Sequence, residues 1–342
     1  MVAGLRWSPR LKKDTITYFS LYMKHRVKSL LLVIFIPALY GITLRLIFGL
    51  REFNELFAVM SVTFLFLLPT IMGALTVYLS PTGRVQSLAY RMLIPWVPLS
   101  VFLIITLVIA IEGWACWLMI LPVFMFTSTV GGLIAGHYKL KNKEKKVRIS
   151  VLVLLPFLIS PLESLVETKP VIYEVPTHID IKANREKIWD NVTRVAELKN
   201  SENSGWLTGL LGFPRPLSAE LDYEGVGGYR KARFTNGLAF HETVTEYKDN
   251  EMMKFIIKAN PHEIPSTTLD EHVLIGGTYF DVLSGRYDLE RLDEQTYRLH
   301  LSSQFQMNTA FNFYAGWWGK IIMKDIQNNI LRVEKMRSEL GE

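Results

Sequence analysis

The order of hydrophobic and polar positions divides the chain into two halves of different character. Long apolar runs occupy the first half, whereas shorter patterned segments separated by polar turns fill the second. Five runs approach the roughly 20 residues that a helix needs to cross a bilayer; they cover 30–50, 56–79, 92–111, 114–136 and 149–166. The fifth run is the weakest, because it is short and contains two prolines and Glu163. The pattern predicts an α-helical membrane bundle of four or five spans.

The second half shows the periodicities of a water-soluble domain. Period-two alternation predicts strands; these cover 177–181, 219–223, 228–234, 238–247, 252–259, 279–289 and 296–306. An amphipathic helix is predicted over 184–195, and apolar residues spaced by three and four from Tyr314 to Leu340 predict one face of a long terminal helix. We therefore expect a basic head (1–28), a helical membrane bundle (29–168) and an α+β domain (171–342) whose antiparallel sheet wraps around its C-terminal helix.

Three parts of the second half resemble a known group of proteins. They are THIDIKANREKIWDNV (177–192), GGYRKARFTNGLAFHETVTEYKD (227–249) and the terminal helix. Together with the element order they resemble the START-like superfamily with the helix-grip fold, in its polyketide-cyclase/dehydrase-like branch, over about residues 175–340. The resemblance implies an apolar cavity between sheet and helix that binds lipids, sterols, polyketides or other hydrophobic molecules, and a few members are cyclases or hydrolases. The first half resembles no family that we can name.

The distribution of lysine and arginine indicates the orientation of the bundle. These residues concentrate in 1–28 and 137–148, and short basic segments favour the cytoplasmic side. With four spans the second half would be cytoplasmic, and with five it would be extracytoplasmic. We expect five spans, in an integral protein of a bacterial cytoplasmic membrane with a cytoplasmic N-terminus.

Composition narrows the partners and cofactors. The net charge of +6 lies largely in the two basic segments, so it indicates topology and attraction to anionic lipids rather than nucleic-acid binding. The one cysteine, Cys116, lies in an apolar run, and the seven histidines are scattered without the spacing of metal ligands. We expect membrane lipids and a hydrophobic small molecule as partners, with no metal, cofactor or nucleic acid; protein partners are not indicated.

The central hairpin contains an unexpected pair of charges. A three-residue turn over 235–237, with Gly237 in the left-handed region, keeps the apolar residues on one face and sets Arg230 opposite Glu242 on that face. Opposite charges on an apolar face must pair, because an isolated buried charge is costly. The pair could anchor a ligand headgroup, act in acid–base chemistry, or be a salt bridge that fixes strand pairing.

Other residues are candidates for the expected cavity. Glu242 and His300 are candidate acid–base groups, without a nucleophile elbow or a phosphate-binding loop to define a reaction. The candidate ligand-binding residues are Arg230, Phe240, Glu242, Phe255, Ile257, Arg286, His300, Tyr314, Trp317 and Trp318. For the tryptophans the alternatives are contact with lipid headgroups and core packing.

Residues 201–216 combine large apolar side chains with interleaved glycines. This composition predicts a flexible gate made of Trp206, Leu210, Leu211 and Phe213, with core packing as the alternative. The loop 260–277 is a second possible lid. Together these features predict a membrane-anchored START-like domain that binds or transfers a lipid-like ligand. A cyclase, dehydrase or hydrolase using the same cavity, and a structural or sensory subunit of a membrane complex, are the alternatives.

Overall fold

The chain folds into two compact units. The computed structural model describes residues 9–50, 52, 56–141, 149–198, 202, 205–259 and 275–340, with helical side chains described from residue 27 and again from residue 151. One unit consists of Met1–Ile109 with Ile120–Val166, and the other of Ala110–Met119 with Glu167–Glu342. Residues 260–274 of the predicted lid, residues 142–148 of the basic loop and residues 1–8 of the predicted head lie outside the described residues.

The described residues of the first unit form helices joined by short turns. It contains α1 (Pro9–Phe48), a short π-helix (Thr63–Leu67) that leads into α2 (Leu68–Leu79), α3 (Thr82–Val85), α4 (Leu88–Leu93), α5 (Trp96–Val108), most of α6 (Trp114–Lys141) and α7 (Ile149–Glu163). Three helical stretches are long and apolar enough to cross a membrane: Val27–Phe48, Leu88–Val108 and Trp114–Lys141. The protein is therefore compatible with a membrane location.

The other two predicted spans are shorter in the structure. The described helices there cover Thr63–Leu79 and Val151–Glu163, so four or five spans are not confirmed. In the run 56–79 the helix begins only at Thr63, so it is shorter than predicted. At this start the Glu163 carboxylate accepts hydrogen bonds from the backbone N–H groups of Val62 (2.5 Å) and Thr63 (2.9 Å). Glu163 thus satisfies backbone donors that a helix start leaves without partners.

The second unit has the predicted order of strands and helices, with one additional short helix before the second strand. It contains β1 (Val171–Lys182), α8 (Arg185–Thr193), α9 (Trp206–Leu211), β2 (Pro216–Leu221), β3 (Tyr229–Phe234), β4 (Ala239–Lys248), β5 (Met252–Ala259), β6 (Phe280–Arg291), β7 (Thr296–Met307) and α10 (Asn312–Leu340). The strands form one antiparallel sheet in the order β1-β7-β6-β5-β4-β3-β2. The sheet with its long C-terminal helix fits a helix-grip domain.

The register predicted for the central hairpin is confirmed. Arg230 pairs with Glu242 and Ala232 with Phe240 across β3 and β4. The turn Thr235–Gly237 contains Asn236 at φ 61° and Gly237 at φ 81°, so two residues rather than one adopt the left-handed conformation. Asparagine and glycine tolerate this conformation better than other residues do.

The prediction for the buried face of α10 is only partly correct. Val333 is buried, but Leu340 is exposed and several other residues of the predicted stripe are only half-buried. The buried positions of α10 include polar residues: Asp325, Gln327, Asn329, Glu334 and Ser338. The helix packs against β1, β7, α8 and α9, so more than one of its faces is covered. A buried helix with polar residues requires a partner for each of them.

Candidate functional site

A buried ion pair occupies the inner face of the sheet. Arg230 and Glu242 are each 4% exposed, and the Arg230 Nη1 donates to Glu242 Oε2 at 2.6 Å. The Arg230 Nη2 also donates to the backbone carbonyl of Val192 at 3.3 Å, at the end of α8. Alternation along β3 and β4 forces both side chains to the same face, because residues that are directly opposite project to the same side of a sheet.

Aromatic rings surround the guanidinium of this pair. Its central carbon lies 5.5 Å from the ring centre of Phe255 and 6.0 Å from that of Tyr287. The Phe255 ring fits because Gly285 lies opposite it in the sheet, where an added Cβ would come within 2.5 Å of the ring. Cation–π attraction of this kind partly replaces the hydration that the guanidinium loses.

The electrostatics of the pair follow from burial and attraction. Burial raises the pKa of Glu242 above its ordinary value, and the charge and hydrogen bond of Arg230 offset part of that rise. Burial acts against the charge of Arg230 as well, but attraction to Glu242 leaves the pKa of Arg230 above its ordinary value. The guanidinium therefore stays charged and requires a negative partner.

Glu334 on α10 is a third ionisable group at this site, and the sequence alone did not predict it. It is 1% exposed, and neither of its carboxylate oxygens has a hydrogen-bond partner among the described residues. Arg230 influences the pKa of Glu334, and Glu334 influences that of Arg230. Burial raises the pKa of Glu334 to about 8, although the charges of Arg230 and Arg337 act in the opposite direction.

The isolation of Glu334 contrasts with its neighbours on the same helix. Gln327 donates to the carbonyl of Val175 and to the Ser303 hydroxyl, and it accepts from the Thr177 hydroxyl. Ser338 accepts from the Asn191 side chain at 3.0 Å. A buried polar group without a partner is uncommon in native proteins and requires an explanation, such as a bound molecule or a catalytic role. Glu334 is therefore the least explained polar group of this core.

An apolar surface of half-buried residues leads away from the pair. Ile257 lies directly opposite Glu242 across β4 and β5, and Phe240 pairs with Ala259 one step further on the same face. Phe240, Ile257, Ala259 and Met323 of α10 are only half-buried, although they pack against core residues of the second unit. From Glu334 to Met323 is eleven residues of helix, or roughly 16 Å. The sheet and α10 thus present apolar area that the described residues do not fully cover.

Two predicted site residues lie elsewhere. Arg286 forms an ion pair with Asp288 at 2.7 Å, and His300 contacts Glu290 at 2.9 Å. Both positions alternate with the buried residues Tyr287 and Leu301, so they belong to the outer face of the sheet. The expectation that Arg286 and His300 share the inner face with Arg230 is wrong, because a period of two sends neighbouring residues to opposite faces.

The aromatic residues at the start of α10 form a separate group. Tyr314 stacks on Trp317 with ring centres 6.3 Å apart, and Trp317 meets Trp318 edge-on at 5.2 Å. The Tyr314 hydroxyl donates to the backbone carbonyl of Met119. Tyr314 precedes Glu334 by twenty residues, which is roughly 30 Å of helix. The structure therefore does not bring these aromatic residues together with the charged pair.

The predicted gate contains a short helix. Trp206–Leu211 forms α9, which ends at Gly212 with φ 75°, so the glycine serves as a helix stop rather than as a source of irregular backbone. Leu207 and Leu211 are buried against Ala115, and Phe213 and Ile322 pack beside them. Trp206 and Leu210 are exposed by 70% and 54%. The expectation that Leu211 lies outside the core is wrong, because the helical period places it on the buried face.

Asp325 of α10 holds α9 in place. One carboxylate oxygen of Asp325 accepts from the backbone N–H of Thr208 at 2.9 Å and from its hydroxyl at 2.8 Å. Asp325 therefore satisfies a backbone donor in the first turn of α9.

Among the described residues, no group of three or more histidine, cysteine, aspartate or glutamate side chains could hold a metal ion.

Comparisons with known proteins give similarities of fold only. No protein-family model matches the chain, and no curated protein matches it. A START superfamily protein from Mycobacterium smegmatis matches 49% of this chain and 99% of its own, with 11% identity and a TM-score of 0.33. Norcoclaurine synthase from Thalictrum flavum matches 49% of this chain and 96% of its own, with 13% identity and a TM-score of 0.28. The Aha1 dimer from Colwellia psychrerythraea matches 50% and 98%, with 18% identity and a TM-score of 0.25. The N-terminal half is not recognised.

Proposed function

We propose that the second unit binds a hydrophobic, lipid-like molecule between its sheet and α10, next to a membrane in which the first unit is anchored. The observation that carries this proposal is the half-buried apolar surface of Phe240, Ile257 and Met323, which ends at the buried group of Arg230, Glu242 and Glu334. Small-molecule sites combine mainly apolar walls with a few polar groups that fix orientation.

Desolvation of an apolar tail would supply most of the binding free energy. Each buried methylene contributes about 0.8 kcal/mol, so ten methylenes give roughly 8 kcal/mol before the costs of ordering. A polar end group that donates a hydrogen bond would satisfy Glu334, whose oxygens have no partner among the described residues. The same contact would leave the Arg230–Glu242 pair intact.

The exposed side of α9 is suited to contact with lipid in this proposal. Trp206 and Leu210 present apolar area to the exterior, while Leu207 and Leu211 anchor the helix. Tryptophan is enriched at the interface between membrane and water. We propose that α9 is a fixed contact element at the membrane surface, through which a ligand enters or leaves.

Native mass spectrometry of the full-length protein, released from detergent, tests the binding proposal. Ile257→Trp fills the inner apolar surface, and Ile256→Trp places the same side chain one residue away, where Ile256 is 41% exposed on the other face. We expect the wild type and Ile256→Trp to retain a co-purified lipid and Ile257→Trp to lose it. Equal retention by both variants, with both correctly folded, would contradict binding at this surface.

Enzymatic turnover of the same ligand is the second candidate function, and Glu334 is the observation that favours it. A carboxyl group with a pKa near 8 is mostly protonated at neutral pH, so it can act as a general acid. Glu334→Gln distinguishes the two functions. An enzyme would retain a ligand of different mass in the variant, namely substrate in place of product, whereas a carrier would retain the same ligand in both proteins.

A further inference from the structure

A groove with basic and apolar walls lies in the first unit. It has a volume of about 610 Å³, and its lining residues come from α4 and α6; they are Arg91, Leu133, Ile134, His137, Tyr138 and Lys141. Leu133 and Ile134 lie one to two turns before His137 and Lys141 on the same helix. The groove therefore changes along α6 from apolar to basic.

Two glycines of α6 position Arg91 in this groove. A Cβ added to Gly136 would come within 2.1 Å of the Arg91 Cδ, and a Cβ added to Gly132 within 2.5 Å of the Arg91 carbonyl oxygen. Two small residues that are four positions apart allow helices in membranes to approach each other closely. The stem of Arg91 consequently lies against the backbone of α6 and its position is fixed by packing.

The basic side chains of the groove form no ion pairs with other described residues. Lys139 lies between His137 and Lys141 on α6. It donates to the carbonyl oxygens of Tyr78 (2.6 Å) and Ser80 (2.5 Å), at the end of α2, and is not part of the groove lining. None of the ion pairs between described residues involves Arg91, His137 or Lys141. The Arg91 Nε is buried and has no hydrogen-bond partner among those residues.

Basic side chains beside exposed apolar ones favour a ligand that has both a negative charge and an apolar chain. A guanidinium offers planar, paired donors that match the oxygens of a phosphate, and a nearby ammonium adds a second positive charge. Ile134 is 49% exposed beside these groups, which suits an acyl chain and not a fully hydrated ion. We propose that this groove binds the phosphate of an anionic phospholipid between Arg91 and Lys141, with one acyl chain along Leu133 and Ile134.

Lipid exchange in nanodiscs tests this assignment on the full-length protein. The probes are phosphatidylglycerol and phosphatidylcholine, which share a phosphate and acyl chains but differ in net charge. Retention of each lipid is counted by native mass spectrometry after release. The test variant is Arg91→Gln with Lys141→Gln. The matched control is Lys28→Gln with Arg84→Gln, which removes two exposed cations of the first unit outside the groove.

The test variant removes both charges proposed to contact the phosphate, and the loss of these charge-assisted hydrogen bonds is expected to lower the preference for phosphatidylglycerol by at least about tenfold. The control removes two charges that do not line the groove, so the number of retained phosphatidylglycerol molecules is expected to stay within about twofold of the wild type. If the two double variants lose preference equally, or if the wild type retains phosphatidylcholine as well as phosphatidylglycerol, the site is not the proposed one.

Inorganic phosphate separates the lipid from a soluble anion. Added at millimolar concentration, it should not displace phosphatidylglycerol, because it lacks the acyl contact with Leu133 and Ile134. Displacement by phosphate alone would assign the groove to a soluble anion and overturn the proposal. Lys141→Glu is a second variant with little risk to folding, because Lys141 is exposed at the helix end; it should also lower the preference, and unchanged preference would contradict the proposal.

Discussion

Replacement of Glu334 by glutamine is expected to stabilise the second unit in a pH-dependent manner. The pKa of Glu334 rises from its ordinary value of 4.5 to about 8 because the carboxyl group is buried. The folded state therefore binds more protons at this site than the unfolded state between these two values. Stability that depends on the protonated carboxyl is fully present below about pH 4.5 and is lost as the pH rises through about 8.

The size of the effect follows from the difference between the two pKa values. At about 1.36 kcal/mol for each pKa unit, the wild type loses up to about 5 kcal/mol of folding free energy across the window, and roughly 3 kcal/mol of this by pH 7. Glutamine has nearly the same shape and no charge. The difference between variant and wild type should therefore be constant at low pH and should grow in favour of the variant from about pH 5 to pH 8.

Hydrogen exchange, measured by mass spectrometry on peptides from β4 and α10, isolates the opening of this unit within the full-length protein. The wild type and variant are compared at equal pH, so that intrinsic exchange rates cancel. Glu339→Gln, on the exposed side of α10, is the matched control. Parallel pH profiles for the wild type and Glu334→Gln would show that folding does not raise the pKa of Glu334, and a variant that becomes relatively less stable as the pH rises would show a paired, ionised carboxylate.

Three further results are expected. Glu242→Gln should cost roughly 3 to 5 kcal/mol of folding free energy in denaturant unfolding, because it leaves the buried charge of Arg230 without its partner. The double change Arg230→Met with Glu242→Leu should cost less, and an equally large loss would contradict a structural pair. Leu211→Asp should lower the melting temperature sharply and Leu210→Asp should not, because Leu211 is 1% and Leu210 54% exposed; equal melting temperatures would refute the placement of α9. A cysteine at the exposed position Glu294 should react with an impermeant thiol reagent in intact cells if the second unit is extracytoplasmic; labelling only after lysis would indicate a cytoplasmic unit.

The sequence predicted the central hairpin because alternation selects the length of its turn. A two-residue turn at Asn236–Gly237 would place Ala232 and Phe234 on one face with polar residues, whereas a three-residue turn keeps the apolar residues together. The longer turn therefore determines the register that places Arg230 opposite Glu242. A one-residue slip would have moved the whole apolar set to the outer face, so the pattern tolerates few alternatives.

The sequence did not predict a buried Glu334 because α10 has two sets of buried residues at helical spacing. The apolar residues predicted one face, but Gln327, Leu331, Glu334 and Ser338 repeat at spacings of four, three and four, and all of them are buried. That second stripe has helical periodicity and was not recognised, because polar residues at such spacing ordinarily face water. The lengths of the helices in the first unit do not follow from hydropathy, because hydropathy does not show where a helix starts within an apolar run.

The position of a bound tail tests the central claim most directly. A fatty acid carrying a photoreactive diazirine on its chain is incubated with the full-length protein, activated by light, and located by peptide mass spectrometry. We expect labels on β4, β5 and the first half of α10, at or beside Phe240, Ile257 and Met323, and loss of these labels in Ile257→Trp but not in Ile256→Trp. Labels confined to the helices of the first unit, with none on the inner face of the sheet, would contradict a ligand-binding second unit.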